Sequence, residues 1–157
     1  MEVRNDDEGW VFEEIDPLIC ELLRILPDCA APDDDAARKR IFTTPTAGKD
    51  TAADEDWHEY VEPELRKLFK DHTDIAAADI ATMDRQGDIF TLTIPLANAR
   101  AWIHTLNQAR LALAARHRLT EDDTEGRNRL DGEKGFAVMQ IDFYAMLLSL
   151  LLSRTEL

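Results

Sequence analysis

The stretch PLANARAWIHTLNQARLALAARHR, residues 95–118, carries the clearest structural pattern in the sequence. Its apolar side chains recur every three or four positions, which is typical of one face of an amphipathic helix. Pro95 suits the first turn because it has no backbone N–H to leave unpaired, and Arg116-His117-Arg118 suits the helix C-terminus. We therefore predict a long central helix whose buried stripe contains Leu96, Ala99, Trp102, Ile103, Leu106, Ala109 and Leu113.

A second strong helix is predicted over residues 136–154, FAVMQIDFYAMLLSLLLSR. It is apolar nearly all round, and such a helix must be surrounded by other elements. Asp142 stands near its middle, and a carboxylate at the centre of a bilayer costs roughly 2.5–3.5 kcal/mol on insertion scales. We therefore expect a buried core helix rather than a membrane span.

Shorter helices are predicted in the first half of the chain. Asp16-Pro17 makes a good helix start, since Asp accepts hydrogen bonds from free N–H groups and Pro fits the first position. Pro27 is expected to end that helix. A further helix is predicted to begin near Asp54, to restart or kink at Pro63, and to be followed by another that Thr73 or Asp74 caps.

Two short apolar runs predict the β-structure, residues 10–12 and residues 89–93. Since a lone strand cannot satisfy its own backbone, we expect these runs to pair. The predicted fold is therefore mainly α: a compact helical bundle of four to six helices with at most one small two-stranded β-ribbon. The length of 157 residues favours a single domain over residues 1–157.

The net charge of −14 is concentrated in the first half of the chain. Residues 1–79 hold 22 acids and 9 bases, while residues 80–157 hold 10 and 9. A chain with this much negative charge repels phosphate backbones and anionic membranes. We therefore expect neither nucleic acid nor a membrane as a partner. Residues 28–54 contain few apolar side chains that could be buried, and they predict a mobile acidic loop. Ile41-Phe42 is the one apolar pair expected to anchor this loop to the core.

Motifs for catalysis, cofactors and metals were not found. The chain has no G-x-S-x-G elbow and no glycine-rich phosphate loop. His58 and Glu62 stand four apart but lack the second His of H-E-x-x-H, and Asp33-Asp34-Asp35 lacks the spacing of a calcium loop. His72 lies among apolar residues and is interpreted as a core histidine. We therefore predict no catalytic residue, no cofactor and no metal site.

Three polar residues on the two strong helices form the candidate site. Asp142, with Gln140, interrupts the apolar C-terminal helix, and a carboxylate in such surroundings must be paired, neutral or at a rim. Asn107 and Arg110 lie three apart on the central helix. We predict a buried polar cluster of Asn107, Arg110 and Asp142 where the two helices pack.

The run AWIHTLNQARLAL, residues 101–113, resembles the W-I-x-x-[VL]-N-x-x-R-L-A-L signature of the DUF2017 family of bacterial proteins. The Glu62-Pro63-Glu64 step and the aliphatic C-terminal helix are similar to that family as well. The resemblance implies no activity, cofactor or catalytic residue. Because genes of this family often stand near the adaptor of the Clp protease, it implies an accessory role in proteolysis or regulation.

The leading functional hypothesis is a non-enzymatic cytoplasmic interaction protein, with a protein partner or self-association as a homodimer. The first seven residues show no apolar core of a signal peptide, and Cys20 and Cys29 do not make a disulfide framework. The alternative is a small-ligand- or metal-binding enzyme with a polar pocket in the bundle, built from His72 and the candidate cluster. A third hypothesis is that the acidic region 28–64 binds a basic protein.

Overall fold

The computed structural model describes residues 1–124 and 132–153. Its β-structure is a four-stranded antiparallel sheet with the strand order β1-β2-β4-β3. The prediction of at most one two-stranded ribbon is therefore wrong, and the fold is mixed α and β. The four strands are β1 (Glu2–Asp6), β2 (Gly9–Ile15), β3 (Asp84–Gln86) and β4 (Ile89–Pro95).

The two central strands are the pair that the apolar runs predicted, with Trp10 opposite Ile94 and Phe12 opposite Leu92. Each continues into a hairpin with a polar edge strand, β1 and β3, whose residues are all exposed. The hydrogen bonds between strands join backbone groups and do not depend on the side chains. Polar side chains on an edge strand discourage its pairing with other chains. A search for apolar alternation could not find these two strands.

Eight helices complete the described chain, and a short 3-10 turn over Leu96–Asn98 precedes the sixth. They are α1 (Pro17–Arg24), α2 (Leu26–Ala30), α3 (Asp35–Ile41), α4 (Thr51–Tyr60), α5 (Glu62–Ala81), α6 (Ala99–Arg116), α7 (Glu121–Thr124) and α8 (Gly132–Leu152).

Helix α6 is the centre of the molecule, as its apolar spacing predicted. It packs against α2, α3, α5 and α8, and the side chains of Trp102 and Leu106 are completely buried. The sheet contributes the large side chains of Trp10, Phe12 and Leu92 to the same core. Burial of such side chains, worth about 1.5–3 kcal/mol each, is the main stabilising contribution.

The segment 28–54, predicted as a loop, contains α3, the end of α2 and the start of α4. Asp34 caps α3, because its side chain accepts a hydrogen bond of 2.9 Å from the Ala37 amide. Phe42 is buried and stacks on Phe69 at 5.7 Å between ring centroids, so the expected anchor at this position is confirmed. The prediction of a structureless segment is wrong at these helices, whereas its mobility stays a prediction.

Two predicted helix boundaries are also wrong. Pro27 does not end helical structure, since it occupies the first turn of α2, where a missing N–H costs nothing. Helix α5 runs unbroken past Thr73. The Thr73 hydroxyl donates back to the Phe69 carbonyl at 2.9 Å within the helix, instead of capping a new one.

Candidate interaction surface

The predicted polar cluster does not form. Asn107 and Asp142 are exposed, while Arg110 is half-buried and its Nε has no hydrogen-bond partner. Within residues 1–124 and 132–153, no hydrogen bond or ion pair joins any two of the three. Asp142 fails to meet α6 because its neighbour Ile141 is buried, and successive helical side chains point about 100° apart.

The inner face of α8 is fixed by buried polar groups instead. The Tyr144 hydroxyl donates to the Leu22 carbonyl at 2.7 Å, and Gln140 Nε2 donates to Cys29 Sγ at 3.4 Å. Burial raises the pKa of the Tyr144 hydroxyl and of the Cys29 thiol above their ordinary values, so both groups remain neutral. These contacts determine which side of α8 faces the core.

Arg116 and Gln108 hold the α2–α3 connection to α6. The Arg116 guanidinium donates to the carbonyls of Cys29, at 2.7 Å, and of Ala31, and to the Asp34 carboxylate. Gln108 Nε2 donates to the Ala30 carbonyl at 2.6 Å. Sequence reasoning missed both roles, because the accepting groups are mostly backbone carbonyls of residues about 80 positions away.

The outer face of α8 carries an apolar stripe. The exposed fractions of Phe136, Met139 and Met146 are 43%, 38% and 41%, and Phe143 and Leu150 are half-buried. We define the α8 stripe as these five residues, which are spaced by three, four, three and four positions. This spacing is that of a seam packing against another helix.

The α8 stripe is also nearly free of charge. Between Lys134 and the end of α8 at Leu152, the only charged side chain is Asp142. In a chain with a net charge of −14, such a neutral surface is unusual. Exposed apolar patches on a polar protein mark interaction sites more often than single exposed apolar residues do.

Helix α8 is long and apolar enough to cross a membrane, judged by length and composition alone. Its inner face packs against α6, and the core helices of soluble proteins can be equally long and apolar. We therefore describe α8 as a helix with a buried inner face and an apolar outer stripe.

The alternative hypothesis requires polar groups that converge on a pocket. A shallow cavity of about 80 Å³ is lined by His104, Asn107 and Gln108 among others. A larger one of about 430 Å³ lies between α2 and α5. Neither is lined by His72, Arg110 or Asp142, so the predicted groups do not converge.

The histidines do not form a metal site either. His72 stacks on His104, with 4.7 Å between ring centroids and 7° between planes. Nitrogen lone pairs lie in the ring plane, so two stacked parallel rings cannot aim at one metal ion. His58 Nδ1 lies 2.5 Å from Glu62 Oε2, but the described residues contain no group of three or more ligands able to hold a metal.

Comparison with known proteins gave one match. The family model described as a domain of unknown function, DUF2017, matches residues 4–155. No curated protein and no solved structure matches the chain.

Proposed function

We propose, on the basis that this chain belongs to the DUF2017 family, that it is a non-enzymatic interaction protein. The α8 stripe is the surface that does the binding, and its occupant is a second copy of the same chain. One observation carries this proposal: five apolar side chains on α8 have the spacing of a helix–helix seam. Three of them are exposed, and the other two, Phe143 and Leu150, are half-buried and also pack against the core.

The near symmetry of the α8 stripe favours a second copy over an unrelated partner. Phe136 and Leu150 lie seven positions on either side of Phe143, while Met139 and Met146 lie four before and three after it. Two antiparallel α8 helices related by a twofold axis at Phe143 would therefore match apolar residues with apolar residues. Homodimers of this kind use the same patch on both copies, and Met adapts readily to an irregular contact.

The size of the stripe predicts a weak dimer. The stripe runs about 21 Å along a helix about 10 Å wide, whereas a stable interface buries roughly 800 Å² on each partner. Additional contacts around the stripe must contribute, and we expect a dissociation constant in the micromolar range or weaker.

The charge of the chain predicts how the dimer responds to salt. Two copies that each carry −14 repel one another, and the neutral α8 stripe allows contact without bringing acidic surfaces together. Salt screens the repulsion and leaves apolar contact intact, so raising the salt concentration should strengthen the dimer. Binding of a basic protein to the acidic region 28–64 would weaken instead.

The test is sedimentation equilibrium of the full chain over roughly 1–300 µM, a range that brackets weak dimers. We expect the unsubstituted chain to dimerise with rising concentration and the double variant Met139→Lys, Met146→Lys to stay monomeric. Leu18→Lys is the matched control, because Leu18 is a 54% exposed apolar residue on α1, outside the stripe. A chain monomeric throughout, or a double variant that dimerises as well as the control, would contradict the proposal.

A cytoplasmic location and an accessory role in proteolysis stay predictions beside this proposal. The accessory role depends on the family resemblance alone.

A further inference from the structure

Helix α6 differs in charge from the rest of the molecule. No Asp or Glu stands between Asp88 and Glu121, so every charged side chain of α6 is cationic. Arg100, in its first turn, is exposed. Within the part of the chain that the structure describes, no carboxylate forms an ion pair with Arg100, although most other arginines have one.

One turn after Arg100, His104 is half of a stacked pair of histidines. The His72 ring of α5 stacks on the exposed His104 ring of α6. His72 is half-buried, and its Nδ1 is a buried nitrogen without a hydrogen-bond partner. An unpaired buried polar atom costs free energy, which a ligand that accepted or donated a hydrogen bond there would recover.

Positive charge acts on both rings. Burial, the neighbouring His104 and the charge of Arg100 lower the pKa of His72 below its ordinary value. Burial and Arg100 do the same to the pKa of His104. The acid that acts in the opposite direction on His72 is Asp71, and its carboxylate is already held by Lys67 Nζ at 2.9 Å. Asp71 is therefore the acid that acts on His72, and among the described residues no acid acts on His104.

We propose that Arg100, His104 and His72 form a binding site for an oxyanion, either a carboxylate or a phosphate group. A guanidinium offers two parallel N–H donors that fit such a group, and the stacked histidines add donors once they are protonated. The exposed apolar side chains of Leu68 and Ile75 lie one turn to either side of His72 on α5. The anion is therefore best carried by a ligand that is partly apolar.

This proposal makes anion binding and proton uptake reciprocal. A bound anion stabilises the protonated rings, so it must raise the pKa of both histidines. By linkage, the anion must bind more tightly as the pH falls through these pKa values. The effect does not depend on the α8 stripe, so it is independent of dimerisation.

The test is an NMR titration of the histidine ring signals of the full chain, between about pH 4 and pH 8, which spans the ordinary histidine value. Chloride, inorganic phosphate and acetate are compared at equal ionic strength. We expect phosphate, acetate or both to raise the titration midpoints of His72 and His104 by roughly half a unit relative to chloride. That shift corresponds to about threefold tighter binding to the protonated ring.

Two variants separate a built site from general anion effects. Arg100→Gln should abolish the anion-induced shift, and because Arg100 is exposed its loss leaves the core intact. Arg118→Gln is the matched control and should keep the shift. Arg118 is also exposed, and it lies beyond Arg116, the last residue of α6, which is about 24 Å from Arg100 along the helix.

The outcomes distinguish the two ligand chemistries. A shift with phosphate alone identifies a phosphate site, and a shift with acetate alone identifies a carboxylate site. The proposal is overturned if neither anion moves the midpoints relative to chloride. It is also overturned if Arg100→Gln retains the full shift.

Discussion

The indole N–H of Trp102 donates to Asp79 Oδ2 at 2.8 Å, and this hydrogen bond joins the start of α6 to the end of α5. Asn98 Nδ2 lies 3.0 Å from both oxygens of the same carboxylate. Trp102 is completely buried, so its N–H cannot donate a hydrogen bond to solvent water instead. Asp79 therefore fixes the angle between the two helices without an ion pair.

Replacing Asp79 by Ala should lower the free energy of unfolding by about 2–3 kcal/mol, because the Trp102 N–H would be left buried and unpaired. Chemical denaturation measures the change. Asp56→Ala is the matched control, since Asp56 is exposed on α4, and we expect a change within about 0.5 kcal/mol. In a Trp102→Phe background, which removes the donor, Asp79→Ala should lower the free energy of unfolding by clearly less. An equal loss in both backgrounds would show that this hydrogen bond does not account for the destabilisation.

Arg116→Ala should destabilise the protein by about 2–3 kcal/mol, because a largely buried guanidinium is removed that donates to two backbone carbonyls and to the carboxylates of Asp33 and Asp34. Arg116→Lys should recover only part of the loss, since an ammonium cannot reproduce the planar fork of donors. Hydrogen exchange should show faster exchange in α3 in both variants. If Arg116→Lys restored full protection from hydrogen exchange, the positive charge rather than the planar guanidinium would hold the α2–α3 connection to α6.

Gly9→Ala should prevent stable folding. At φ +148 the added Cβ would lie 2.1 Å from the Ile94 carbonyl oxygen, which is backbone and cannot move aside. We expect a loss above about 4 kcal/mol, visible as loss of soluble folded protein. Gly87→Ala is the control: it also has positive φ, +66, but its Cβ would meet open space. Gly87→Ala should lower the free energy of unfolding by only about 1–2 kcal/mol. If the two substitutions destabilised the protein equally, the contact of the Gly9 position with the Ile94 carbonyl would not be the cause.

The stability of the protein should fall in acid, partly through Asp54. Burial acts to raise the pKa of this carboxyl, but hydrogen bonds from the Thr46 hydroxyl and the Gly48 and Thr46 amides outweigh it, and the pKa lies below its ordinary value. A lowered folded-state pKa gives stability that is present above the unfolded value, about 3.9, and is lost as the pH falls through the folded one.

The measurement is the thermal midpoint from about pH 6 to pH 2, a range that spans the ordinary carboxyl value. The unsubstituted chain should lose stability more steeply in acid than Asp54→Asn, which has no proton to take up at this position. Asp56→Asn is the matched control and should follow the unsubstituted chain. If Asp54→Asn also followed it, Asp54 would contribute nothing to the acid response.

Part of the fold could be predicted because it depends on local patterns. The spacing of Trp102, Leu106 and Leu113 specifies a helix and its buried face, and α6 has that face in the core. The pairing of residues 10–12 with β4 followed from the need of each strand for a partner. The polar edge strands β1 and β3 could not be found, because backbone hydrogen bonds leave no mark in side-chain hydropathy.

The candidate site was less predictable, because it depends on rotation of one helix against another. Asp142 and Arg110 stand on helices that do pack together, yet Asp142 faces solvent. A helix that is apolar nearly all round gives only a weak signal for its inward side, and here Asp142 and Ser149, both exposed, mark the outer side. The contacts of Tyr144 with Leu22 and of Gln140 with Cys29 make that choice.

Two long helices in the core and the concentration of acidic residues in the first half of the chain follow from the amino-acid sequence alone. Both are properties of neighbouring residues, which helical periodicity and composition express directly. Tertiary packing, by contrast, leaves Phe136, Met139 and Met146 of the α8 stripe exposed and stacks His72 of α5 on His104 of α6. Those relationships join residues distant in sequence, and packing of α5, α6 and α8 creates them.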